Sequence, residues 1–170
     1  METRRLVASL AAGSTRHLKE TRKALVQIGE PAVAPLLDAL RAPEEQVRWE
    51  AVKTLAEIRS PSAANGLVDA LTDPDGGVRW LAAEGLVYVG PTSLDPLLYA
   101  LLQYSHSVWL REGAHHAIRA LNQGQLAPVL TPVIRALEGV LPAISVLTPA
   151  ARALETLRRE GLAPVRATRR

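Results

Sequence analysis

Apolar residues fall into two strings that alternate along the chain. The first is Arg5-Leu6-Val7-Ala8-Ser9-Leu10, and it returns as Pro35 to Leu40, Gly66 to Leu71, Pro96 to Leu101 and Pro132 to Leu137. Its closing leucines step by 30, 31, 30 and 36 residues. The second string runs Val47 to Ile58, Val78 to Val89 and Leu110 to Leu121, with a weaker copy at Val146 to Leu157 and the weakest at His17 to Ile28. Within it the apolar positions fall at i, i+4, i+5, i+8 and i+11, which is one stripe of an α-helix. Two helices alternating at a near-constant period predict an all-α chain, an α-solenoid or superhelix of about five antiparallel helix pairs.

Turn residues punctuate the same register. Pro31, Pro61 and Pro91 open first helices, where a missing N–H is no loss. Arg41 to Gln46 and Thr72 to Gly77 separate the helices of a pair, and their acidic residues suit the positive N-terminus of the second helix. Gly29 and Gly90 close second helices as left-handed caps. The repeats are therefore drawn at about 1–29, 30–59, 60–90, 91–122 and 123–161 within one domain, followed by a basic tail over 162–170. Glu138 to Ser145 inserts extra residues between the last two helices, as a long loop or an extra turn. The opening Met1 to Gly13 reads as a capping helix rather than a signal peptide, because its apolar run is short and polar Ser14 to His17 follow.

Composition strengthens this reading. The 170 residues include 27 Ala and 27 Leu but no Phe, which favours helices over a sheet. Zero Cys excludes disulfides, thiol catalysis and thiolate metal sites. No apolar stretch reaches the ~18 residues of a membrane span. The net charge of +3 is uneven: residues 31–112 carry −5 and residues 113–170 carry +5. Arginine outnumbers lysine 17 to 3, which points to a GC-rich bacterial genome.

The string Val-Arg-x-x-Ala-Ala-x-x-Leu-x-x-Val-Gly at Val78 to Gly90, its relatives beginning at Val47 and Leu110, and the Asp73-Pro74-Asp75 turn resemble the HEAT-repeat family. The likeness is to its short bacterial form, the phycobilisome-lyase HEAT-like repeat. It covers nearly the whole chain and implies an interaction scaffold whose second helices line a concave face. The outward positions of those helices then gather Trp49, Glu50, Lys53 and Glu57, then Trp80, Leu81, Glu84 and Tyr88, with Glu112 and His116 from the fourth repeat. Trp and Tyr dominate interface hot spots, so this row is the expected partner-binding surface. The competing reading is that each indole lies over the neighbouring helix and stabilises stacking. Arg48, Arg79 and Arg111, repeated in register near Asp38, Asp69 and the acidic turns, are expected to form a structural ladder of Arg–carboxylate bonds between repeats.

Catalytic chemistry is missing from the pattern. His115 and His116 are adjacent and diverge on a helix, while His17 and His106 belong to other repeats. There is no His-Glu dipeptide, no Gly-x-Ser-x-Gly and no phosphate-binding glycine loop. The expectation is a non-enzymatic, cytoplasmic protein without metal or cofactor that binds another protein. Two alternatives follow from the resemblance. One is a bilin lyase or isomerase subunit, or a chaperone of a tetrapyrrole-binding protein. The other, a HEAT-like DNA glycosylase, needs a basic groove. The outward positions instead set Lys19, Lys23, Lys53 and Arg152 against Glu20, Glu50, Glu57, Glu84 and Glu112, so nucleic acid is disfavoured.

Overall fold

The computed structural model describes residues 2–11 and 15–162. Of the basic tail, residues 163–170 lie outside the described residues, as does part of the opening stretch at 12–14. Among the described residues the fold is all-helical, without a strand. The chain divides into two compact units, with the boundary between Val89 and Gly90.

The first unit holds α1 (Glu2–Ala8), α2 (Thr15–Ile28), α3 (Glu30–Ala39), α4 (Glu45–Ile58), α5 (Ala64–Ala70) and α6 (Gly76–Val89). The second helices stack directly, α4 lying between α2 and α6, while α1 packs on α3 and α5 on α6. The apolar stripe of the second string forms the core: Ala51, Val52 and Leu55 of α4 and Ala82 and Leu86 of α6 are fully buried, with Leu25, Leu36, Leu67 and Leu71 around them. Each such leucine contributes roughly 1.5–3 kcal/mol by leaving water. Gly85 sets how closely the helices approach, since a Cβ there would stand 3.1 Å from Leu67 Cδ1 and 3.3 Å from Ala56 Cβ.

The helix ends follow the turn chemistry with two changes. Pro61 and Pro91 open 3-10 turns, Pro61–Ala63 and Gly90–Ser93, that lead into the α-helices rather than the α-helices themselves. The second helices α2, α4 and α6 are followed by residues of positive φ: Gly29 at 68°, Arg59 at 56° and Gly90 at 81°. Arg59 is the departure, a left-handed C-cap made without glycine, its N–H donating to Leu55 O at 3.1 Å.

The second unit holds α7 (Leu94–Tyr104), α8 (Val108–Leu121), α9 (Ala127–Leu137), the single turn α10 (Pro142–Ser145) and α11 (Leu147–Glu160). The insert Glu138 to Ser145 therefore carries an extra helical turn. Leu97, Leu98, Leu101, Leu110, Ile118, Val133 and Leu157 are buried in its core. Here the helix pairing changes. The last helix packs on α7 and α9, whereas in the first unit each second helix packs on the preceding second helix. Arg158 adds a two-pronged bond to Asp95 of α7, at 2.6 and 2.9 Å.

Candidate interaction surface

Helices α4 and α6 carry eight of the ten positions expected to meet a partner, and the structure sorts them. Trp49 is half-buried. Its indole reaches the start of α6, where a Cβ on Gly77 would lie 3.6 Å from Cδ1 and Nε1. Lys53, one turn further along α4, holds Nζ 4.3 Å above the same ring. Trp80 is 57% exposed and Tyr88 47%, while Leu81 and Glu84 between them are half-buried. The stacking reading thus describes Trp49, and the exposed-aromatic reading describes Trp80.

Glu50 corrects the expectation of an outward position, being only 4% exposed. It lies at the α2–α4 seam, where Arg22 Nη1 donates to its Oε2 at 2.8 Å. Glu57, exposed as expected, pairs with Arg22 Nε at 2.9 Å. A buried carboxylate is costly without a partner, and Arg22 supplies one at this seam. Glu112 is exposed and His116 half-buried, both on α8 of the second unit.

The arginine row is structural in a different way from that expected. Arg48 donates Nε and Nη2 to the Asp73 carboxylate at 2.8 and 3.1 Å, and Nη1 to the carbonyls of Ala42 and Pro43. The bond to Asp73 holds the Arg48 pKa above its ordinary value, against the lowering effect of burial. Arg79 donates to the carbonyls of Asp73 and Pro74, and Arg111 to that of Ser105. The shared motif is an arginine gripping the backbone of the turn five or six residues before it. Asp38 and Asp69 are exposed, and the inter-repeat carboxylate is Asp73. The reason is local. Asp73 accepts from Asp75 N–H at 2.8 Å and so is fixed in the turn beside α4, while Asp75 caps α6 by accepting from Val78 N–H.

Two residues of this surface went unseen in the sequence. Arg22 sits inside the weakest copy of the second string, where nothing marks it as a buried ion partner. Arg59 holds its guanidinium carbon 5.1 Å above the Tyr88 ring. Its signal was available: it occupies the place of Gly29 and Gly90 in the register.

No group of three or more metal-ligating side chains occurs among the described residues. No helix among them is long and apolar enough to cross a membrane. Further exposed apolar residues lie in the second unit: Tyr99, Tyr104, Val108 and Trp109, and Val140, Leu141 and Ile144 in the insert.

Comparison with known proteins agrees with the register. The model of the HEAT repeats family matches residues 3–86. A comparison with curated proteins gives no match. Among solved structures, the chain is similar to a chain from the complex of CpcE and CpcF of phycocyanin lyase from Nostoc sp. PCC7120. The identity is 26% and the TM-score 0.59, over 89% of this chain and 96% of that one. An engineered protein is similar at 20% identity and a TM-score of 0.52, over 92% of this chain and 81% of its own, which supports the fold alone. The chain is similar to the HEAT repeats family over residues 3–86, and its all-helical fold is that of the repeat solenoids.

Proposed function

We propose that the chain is a non-catalytic binding module that docks another protein on the α4–α6 face of its first unit. The observation that carries this is the exposure of Trp80 and Tyr88 on one helix, beside a Trp49 already used in packing. A large aromatic kept in water by a fold that fills its core with Leu, Val and Ala is best explained by a second protein that covers it. Leu81 continues the apolar strip, and Lys53, Glu57 and Glu84 supply the polar rim expected of an interface. Glu112 and His116, carried by α8, are proposed separately as partner-contacting residues of the second unit. The reading includes a bacterial, cytoplasmic setting, supported by the arginine-rich composition and the Nostoc relative. Affinity capture from the native host, with the wild-type chain and with Trp80→Ala, tests it. The expected result is one protein retained by the first and lost from the second. Equal capture by both removes the site.

A second reading is favoured by one observation. The similar chain belongs to the complex of CpcE and CpcF of phycocyanin lyase, and it aligns over 96% of its length. By that analogy the chain is one subunit of a two-chain bilin lyase, with the exposed aromatics against a tetrapyrrole or its carrier protein. Without Cys in this chain the thiol for bilin attachment would come from the client. A shift of bilin absorbance on mixing with the chain would support it, and an unchanged spectrum would count against it.

A further inference from the structure

The turns between the helices of a pair change character along the chain. In the first unit, Arg41 to Gln46 and Thr72 to Gly77 hold acidic residues and no large apolar side chain. In the second unit, Tyr104, Val108 and Trp109 flank the turn from α7 to α8, and the insert after α9 carries Val140, Leu141 and Ile144. All six are exposed. The insert accompanies the longer last step of the register, 36 residues, so three of the six belong to a segment the other repeats lack. The fold brings both groups to one edge. Helices α8 and α9 are joined by the short stretch Asn122 to Leu126 and pack on each other, so they run antiparallel, with the start of α8 beside the end of α9. His115 of α8 fastens this join, its Nε2 lying 2.9 Å from Oε1 of Glu138, the residue that opens the insert.

Area and charge together say what can cover this edge. The six residues are between 46% and 97% exposed, which amounts to roughly 800 Å² of surface, about one partner's share of a stable interface. The largest apolar patch of an ordinary monomer is only ~300–600 Å². From Gly139 to Ala151 there is no charged residue. At the rim, Glu138 is taken by His115 and Arg119, at 2.9 and 3.3 Å, and Arg111 donates to the Ser105 carbonyl. Exposed Arg135 and exposed Glu112 are of opposite sign. Arg111, Arg119 and Arg135 thus stand against Glu112 and Glu138, a near balance. An anionic lipid surface or a nucleic acid needs a basic cluster, which this edge lacks. Its own copy meets no repulsion there, and a two-fold contact requires a patch that complements itself.

We propose that this edge of the second unit binds the same edge of a second copy of the chain in a two-fold dimer. Val140, Leu141 and Ile144 of one copy pack on Tyr104, Val108 and Trp109 of the other, and the reverse. This surface lies in the second unit and shares no residue with the α4–α6 face.

Sedimentation equilibrium of the full chain over a range of concentrations tests this. Twice the monomer mass should dominate by about 100 μM, since interfaces of this size hold at micromolar concentration or below. Raising salt from roughly 0.05 to 0.5 M should not weaken the dimer, because its contact is apolar. Val140→Asp and Ile144→Asp should each weaken dimerisation at least about tenfold, since each places a carboxylate against an apolar surface of the other copy. Both positions are exposed, so the melting temperature of the dilute monomer should stay at its wild-type value. Trp80→Ala should dimerise like the wild type, whatever it does to capture of a host protein. A monomeric mass at every concentration would overturn the proposal, even if the chain then sediments with phosphatidylglycerol vesicles. A dimer indifferent to both aspartates, or one lost in Trp80→Ala, would overturn it equally by placing the contact elsewhere.

Discussion

Arg22 and Arg59 show how a single guanidinium can serve packing in one place and surface chemistry in another. Arg22 has 13% of its side chain exposed and Glu50 has 5%, so removing Arg22 leaves the Glu50 carboxylate out of water without its partner. Arg22→Ala should cost about 3–5 kcal/mol in urea unfolding, and the double variant Arg22→Leu with Glu50→Leu should recover most of that loss. Equal losses in the single and double variants would show that packing rather than charge holds the seam. At Arg59 the relevant comparison is between Arg59→Gly and Arg59→Ala, since both remove the stacked guanidinium and they differ only in the Cβ at φ 56°. The glycine variant should be more stable than the alanine variant by about 1 kcal/mol, read as the difference in unfolding free energy.

Between elements, stability depends on close approach at a few points. The α4–α6–α5 contact needs the missing side chain of Gly85, because Leu67 and Ala56 stand at 3.1–3.3 Å from the place a Cβ would take. Gly85→Val should destabilise by about 1–3 kcal/mol through overpacking, measured by chemical unfolding. The two tryptophans of the register separate on the same logic. Trp49 packs on Gly77, so Trp49→Ala should lower stability by about 2 kcal/mol. Trp80 is 57% exposed, so Trp80→Ala should leave the melting temperature nearly unchanged while abolishing partner capture. A large fall in melting temperature for Trp80→Ala would reassign it to packing. The change of pairing in the second unit belongs to this scale as well. An insert that adds a turn at α10 and an Arg158–Asp95 bond accompany the last helix onto α7 and α9.

For the molecule as a whole, zero Cys and four dispersed His leave little with which to hold a metal. Untagged protein purified from its host should carry less than stoichiometric zinc or iron by elemental analysis. A stoichiometric ion would overturn the non-catalytic reading at once. The net charge of +3 likewise gives no concentrated basic groove, since on α4 the cations Lys53 and Arg59 stand near Glu50 and Glu57, which are bound to Arg22.

The helices, their order and the buried stripe of each were legible along the chain because they depend on spacing alone. Residues at i, i+4, i+8 and i+11 share a helix face whatever lies opposite, and a turn such as Asp73-Pro74-Asp75 ends a helix by local chemistry. The fate of side chains at the seam of a stack could not be read that way. Glu50 and Trp49 are neighbours in sequence and both lie at outward positions of the register. Yet Glu50 is buried because Arg22 of another helix comes within 2.8 Å, and Trp49 is covered because the next helix begins with glycine. Asp73, rather than Asp38 or Asp69, receives Arg48 for a similar reason: a three-dimensional turn sets it where the guanidinium ends. Periodicity fixes which way a residue faces on its own helix. Burial and ion pairing depend on distances between helices, and those belong to the tertiary structure.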